Sequence, residues 1–251
     1  MTLPLDPRRR LAILLAVALV AAGALLLHGP IRQWADYHAF ADAVPWLGVP
    51  NAALVLTNLP FALVGGIAWR ALDPSRPSWT AWRTVALSVF ATAFGSAWYH
   101  ADPNDAALVF DRLPIAWGCA AIACALLAER VDPRAGSWPV VLAAVGGATA
   151  SVVAWTLTGD LRPYVFVQFA PLLLVVVALL ARMAPPDPAR SVGDGAWWAA
   201  LALYALAKAC EAADHPIHDV LAPWSGHALK HLLAAAGAAV LLRGAAGARR
   251  R

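Results

Sequence analysis

Three histidines, one serine and one carboxylate stand in or at the rim of stretches otherwise apolar enough to lie in lipid. They are carried by Gly95-Ser96-Ala97-Trp98-Tyr99-His100, by Asp111-Arg112-Leu113-Pro114 and, far along the chain, by His227-Ala228-Leu229-Lys230-His231. Ionisable groups are costly in such surroundings and by default mark function. Ser96 and His100, like His227 and His231, are spaced i, i+4, which on a helix puts both members of a pair on one face. Three neutral imidazoles from two facing helices, with room for a water, make the open three-ligand arrangement of a catalytic metal site. The same donors suit zinc, copper, iron or nickel. An HxxxH pair alone also serves interhelical hydrogen bonding, haem ligation or proton relay. It is the company of His100, Ser96 and Asp111 that turns the reading toward a metal.

Such residues need a scaffold that holds distant segments at one depth, and the composition supplies it. Of 251 residues, 61% are hydrophobic and only 14% charged, which excludes an ordinary soluble domain and predicts an all-α, polytopic membrane helix bundle. Apolar runs fall at about 11–28, 51–69, 80–100, 107–129, 138–158, 164–181, 196–213 and 224–242, each near the roughly 18–20 residues that cross a bilayer. The connections are short and rich in Pro, Asp and Gly, as in Asp73-Pro74-Ser75-Arg76-Pro77 and Pro185-Pro186-Asp187-Pro188. Residues 1–32 read as a basic segment and a first span, 33–243 as a seven-helix bundle and 244–251 as a basic tail. The first run also has the form of a signal peptide, but it is long and no clean small-x-small site closes it, so it is read as a retained helix.

The basic residues orient the bundle. With both termini inside, the inner segments take fourteen arginines and the outer loops only Arg32 and Arg162, the asymmetry expected of a cytoplasmic inner side. That orientation puts His100, Asp111, His227 and His231 in the same outer leaflet. Trp46, Trp79, Trp82, Trp138 and Trp224 begin apolar runs and read as an interfacial belt. Cys119, Cys124 and Cys210 are odd in number and lie within apolar runs, so they read as packing residues rather than a disulfide framework.

Taken together, Gly95-Ser96-x-x-Tyr99-His100-x-x-Pro103, Asp111-Arg112-Leu113-Pro114 and Gly226-His227-x-x-Lys230-His231 resemble the alkaline ceramidase family, particularly its bacterial members. That family belongs to a superfamily of seven-helix membrane proteins which also contains the adiponectin and progestin receptors and a group of lipid-remodelling hydrolases. The resemblance covers about residues 33–243, so the first span would be an addition to a ceramidase-like core. It implies that His100, His227 and His231 hold Zn2+, that Ser96 and Asp111 complete the active site, and that the partner is a ceramide-like membrane lipid and no nucleic acid. Asn58, after Thr57, resembles part of a Ser-Asn pair of the family. Tyr99, Arg112 and Lys230 each adjoin a site residue and are candidates for supporting contacts, although Arg112 and Lys230 could equally snorkel to the interface. Eukaryotic members bind calcium through an acid-rich segment before the first core helix. Here that region offers only Asp36, Asp42 and Asn51 around His38 and Phe40, too few oxygens for an ion that takes about six to eight. No calcium dependence is expected.

Amide hydrolysis would use these parts directly. A zinc ion lowers the pKa of its bound water to about 7 and polarises the scissile carbonyl. Asp111 is placed to take the proton and return it to the leaving amine. Ser96 could donate to the developing oxyanion, position the water or Asp111, or simply let helices pack closely beside Gly95. It makes a poor nucleophile, because His100 on a metal cannot serve as its base. Glu211 and Asp214 are further acids near the outer end of the seventh span, with Lys208 placed to neutralise Glu211, while His215 and His218 flank Pro216 in what reads as a solvated loop. The same residues also fit a lipase or esterase of the superfamily, a receptor with structural zinc, or a transporter, though a transporter calls for interrupted helices at the midplane and a polar path through the membrane.

Overall fold

A computed structural model describes residues 5–46 and 48–247. The terminal arginines Arg249, Arg250 and Arg251 of the expected basic tail lie outside the described residues. All regular structure among the described residues is helical: α1 (Pro7–His28), α2 (Ala52–Leu56), α3 (Leu59–Ala71), α4 (Trp79–Ala101), α5 (Asp105–Arg130), α6 (Trp138–Thr158), α7 (Arg162–Leu180), α8 (Asp194–Ala212), α9 (Asp214–Leu221) and α10 (Gly226–Ala246). Six segments are long and apolar enough to cross a membrane: α1, the α2–α3 unit, α5, α6, α7 and α10. The chain is thus compatible with a multi-pass membrane protein.

Two features depart from the sequence reading. The second apolar run breaks into α2 and α3 at Thr57 and Asn58, because Pro60 cannot donate a backbone hydrogen bond. The Thr57 hydroxyl and the Asn58 amide donate to the Ala53 and Leu54 carbonyls at 2.7 and 2.8 Å, which caps the interruption. The segment after α8, expected as a loop, forms the short helix α9, and Asp214 at its start bonds two neighbouring strands of chain.

The helices pack as an open ring. α1 docks on α7, α7 and α6 flank α5, and α5 packs most closely on α4. The ring continues through α3 and α10 to α8, whereas α7 and α8 barely touch. The tight α4–α5 seam has a local cause. Pro114 inside α5 leaves the carbonyl four residues earlier, that of Phe110, without its helical donor. A Cβ on Gly95 of α4 would overlap that carbonyl oxygen. Glycine therefore lets the two backbones meet at the turn that carries Ser96 on one helix and Asp111 on the other.

The end remote from the histidines is closed by polar contacts. Glu129 Oε1 accepts the Ser78 hydroxyl and the Trp82 indole N–H at 2.8 and 2.7 Å, and its Oε2 accepts the Val192 amide at 2.8 Å. Buried Arg130 bonds the Met183 carbonyl and Asp194, and Arg10 of α1 reaches the Arg130 and Ala184 carbonyls. Trp82 is accordingly fully buried rather than interfacial, whereas Trp46, Trp138 and Trp224 are exposed as the belt reading expects. The three cysteines are unpaired. At the histidine end, the turn between α6 and α7 is fixed by Asp160, which accepts the Ile31 and Arg162 amides and pairs with the Arg162 side chain. Those hydrogen bonds, chiefly from the Arg162 side chain, hold the Asp160 carboxyl down to about 2.

Candidate metal centre

His100 comes from the last turn of α4, and His227 and His231 from the first two turns of α10. The start of α10 is set by Ser225, whose hydroxyl accepts the Ala228 amide at 3.1 Å, and by Asp214, which accepts the His227 amide at 2.7 Å. A Cβ on Gly226 would overlap the Cys210 carbonyl, so glycine seats this turn against the end of α8. The outcome is a close triangle: the three ring centroids are 4.8, 4.9 and 5.0 Å apart, and all three side chains are buried.

Hydrogen bonding determines where two of the lone pairs point. Thr57 Oγ1 lies 2.7 Å from the Ala53 carbonyl and 3.0 Å from His231 Nδ1. The hydroxyl has one proton and gives it to the carbonyl, so His231 Nδ1–H is the donor to Thr57 and its Nε2 keeps the lone pair. That Nε2 is buried with no partner, as is Nδ1 of His100. On His227, Nε2 faces Lys230 Nζ at 2.6 Å, and since an ammonium only donates, this nitrogen too is an acceptor.

One nitrogen from each ring can be chosen so that all lie within 4.8 Å of one another. A tetrahedral ion with bonds of about 2.0–2.1 Å spaces such nitrogens by roughly 3.4 Å, so small ring rotations would close the set. Ligation through His227 Nε2 would displace the Lys230 ammonium that now faces it, and Glu211, whose Oε1 is 3.0 Å from that ammonium and which also pairs with Lys208, is the carboxylate able to retain it. Unsatisfied buried nitrogens are rare in folded chains. The cluster of His100, His227 and His231 could therefore hold a metal ion.

The other expected residues divide. Ser96 is buried beside Asp111, and the Asp111 carboxyl lies in the field of both Lys230 and Arg112. Tyr99 turns its hydroxyl to His38 Nδ1 at 2.9 Å and so holds the chain after α1 rather than a metal. Arg112 is buried over Trp155, with its guanidinium 4.0 Å from the ring, and donates to Gln33 at 2.7 Å. Asn58 donates to the Leu54 carbonyl near the end of α2, and its neighbour Thr57 is the residue that reaches His231. Asp36 is exposed, and both Asp42 oxygens are taken by backbone amides, of Val44 and Leu54. His215 and His218 stand outside the cluster.

Residues that sequence reasoning gave no such role complete the surroundings. Phe40 lies edge-on over His100 and His227, at 4.8 and 4.6 Å between centroids. Its segment is tied down by His38 to Asp105, by the Ala41 amide to Asp214 and by Gln33 to Asp105. Asn51 donates to the His100 carbonyl at 2.8 Å. Only the short distance of residues 33–51 from the first core helix hinted at these contacts. Thr57→Val, which keeps shape but removes the hydroxyl, is expected to weaken metal affinity by about 10–100-fold, measured by chelator competition. An unchanged affinity would remove Thr57 from the support of His231. Neither a scan against protein-family models nor a search of curated proteins finds a match to this chain.

Proposed function

We propose that the chain is an integral-membrane, zinc-dependent hydrolase that cleaves the N-acyl bond of ceramide or a ceramide-like lipid. In this reading α4 and α8, of 23 and 19 residues, also span the bilayer, making a seven-helix core with α1 added. Both termini lie on the cytoplasmic side of a bacterial-type inner membrane, and the histidines face outward. The observation that carries the reading is the buried triangle of imidazoles, two with unpartnered nitrogens, with Ser96 one turn from His100 on α4.

Zinc, when bound by His100, His227 and His231, supplies an activated water and a polarised carbonyl. Asp111, half-buried beside Ser96, receives the proton of the attacking water and delivers it to the departing amine. Ser96 orients that carboxyl and can donate to the oxygen on which charge develops. Phe40 excludes bulk water from the histidines on the side of the chain after α1. The sparsely packed seam between α7 and α8 is the side on which acyl chains reach the site from lipid.

Asp111→Asn tests this assignment. It should lower fatty-acid release from a labelled ceramide by about 10²–10⁴-fold while zinc content stays unchanged. Equal turnover in the variant would remove Asp111 from the chemistry. Turnover of ester lipids alone would move the substrate to an O-acyl lipid, and zinc without turnover of either class would support a receptor with structural zinc.

A further inference from the structure

A second site lies at the end of the bundle remote from the histidines, where α3 stops and α4 starts. The guanidinium of Arg83 on α4 stands 3.5 Å from the ring centroid of Trp69 on α3 and 4.8 Å from that of Trp79, one turn earlier on α4. The two indoles restrict how this cation can turn. Its Nε is buried without a hydrogen-bond partner. Arg70, in the last turn of α3, is exposed. Asp73, the carboxylate of the α3–α4 connection, is engaged by the Ser75 amide and hydroxyl at 2.9 and 2.8 Å. Asp187 and Asp194 pair with Arg190 and Arg130, and neither Arg70 nor Arg83 has a carboxylate partner among the described residues. Both charges are uncompensated, and a guanidinium offers only donors, so what satisfies them is an anion.

Each arginine ends an apolar stripe. On α4, Arg83, Leu87, Phe90 and Phe94 are spaced i, i+4, i+7 and i+11, and on α3, Leu59, Leu63, Ile67 and Arg70 are spaced i, i+4, i+8 and i+11, so each set shares one helix face. All six apolar members are exposed. The stripes adjoin: a Cβ on Gly65 would overlap the Phe90 backbone, and one on Gly66 would lie 3.8 Å from the Phe90 ring. Eleven residues of helix rise roughly 16 Å at about 1.5 Å per residue, close to half of a hydrocarbon core of about 30 Å. Exposed apolar stripes one leaflet deep, ending in uncompensated guanidiniums, have the form of a phospholipid site, with acyl chains along the stripes and a phosphate at the arginines. The carboxylate of the connection is already engaged by Ser75, which leaves nothing to receive a cationic headgroup.

We propose that the outward face of α3 and α4 binds one phospholipid of net negative charge, its phosphate held by Arg83 and Arg70 and its acyl chains on the two stripes. The site rests on α3 and α4 as membrane spans, and not on the hydrolase chemistry, since it shares no residue with the histidine cluster. The full chain, reconstituted into nanodiscs of equal phosphatidylglycerol and phosphatidylcholine and then extracted in mild detergent, should retain about one phosphatidylglycerol and little phosphatidylcholine by native mass spectrometry. Arg83→Gln and Arg70→Gln should each reduce that retention about fivefold. Arg134→Gln, which removes an exposed arginine between α5 and α6, should leave it unchanged. Arg70 is exposed, so its variant reads the site even where Arg83→Gln lowers the SDS-unfolding midpoint. Equal retention of the two lipids by wild type, or a loss in Arg134→Gln as large as in the other two variants, would overturn the proposal. So would retention indifferent to both Arg83→Gln and Arg70→Gln. Displacement of the lipid by inorganic phosphate at equal concentration would overturn it in favour of a free anion, and a dimer with no retained lipid would assign the face to a second copy. Metal content and turnover do not enter these readouts, so the site and the hydrolase reading stand or fall separately.

Discussion

His231→Ala is expected to lower metal affinity by well over 100-fold and to abolish fatty-acid release. Groups that merely support a metal ligand are worth about 10–100-fold, and His231 is one of three imidazoles whose nitrogens converge. Its Nε2 lone pair is directed by the Thr57 hydrogen bond at 3.0 Å, so no neighbouring group can replace it without rebuilding that contact. The fold should survive, because α10 is held mainly by its long seam with α8 and by capping at Ser225. Elemental analysis of detergent-purified wild type and variant reads the result, with circular dichroism as the check on folding. Near-stoichiometric metal in the variant would strike His231 from the ligand set. A wild-type protein that takes up no metal would end the metalloenzyme reading.

Glu129→Ala should have the largest effect on stability, about 3 kcal/mol or more, because it leaves three buried donors without their acceptor. Three donors converge on this carboxylate, from Ser78, Trp82 and Val192, and none of them is a cation. Removing it strands an indole N–H, a hydroxyl and a backbone amide, each costing about 1–3 kcal/mol when buried without a partner. These donors belong to the start of α4 and the segment before α8, so the loss also loosens two helices at the end remote from the histidines. A shift in the SDS-unfolding midpoint in mixed micelles measures it. Glu129→Gln, which keeps one acceptor oxygen, should recover part of the loss, and a variant as stable as wild type would show that these contacts carry little of the fold.

Much of the architecture was legible because apolar length is a one-dimensional signal. The run from Trp138 to Thr158 coincides with α6, and the boundaries of α5 and α7 fall within about two residues of those read from sequence. The histidine cluster was legible for a related reason, since i, i+4 spacing fixes a face and alternating direction fixes a depth. What stayed hidden was tertiary. Trp82 looked like a belt residue because its position begins a run, yet its N–H is drawn inward by Glu129, forty-seven residues away. Thr57 could not be ranked above Asn58, because only the break between α2 and α3 decides which of them faces His231. Phe40 lies in a loop without periodicity, and its position over the imidazoles follows from side-chain ties to Asp105 and Asp214, on helices far along the chain.

Those ties carry a consequence for exchange with the surroundings. The stretch 33–42 has no helix or sheet ladder of its own; Trp34–Tyr37, Asp36–Ala39 and His38–Phe40 are its turn bonds, and it meets the bundle through side-chain contacts of Gln33, His38, Phe40 and Asp42 and through the Ala41 amide. Segments of that kind unfold locally at a free energy far below that of the whole molecule. The cover over the histidines can therefore lift while every helix stays in place. Its amides should exchange with deuterium long before those of α4 and α10. Where such openings limit traffic, turnover follows the frequency of the opening and not the speed of bond cleavage, so the temperature dependence of the rate would be that of a ten-residue unfolding event.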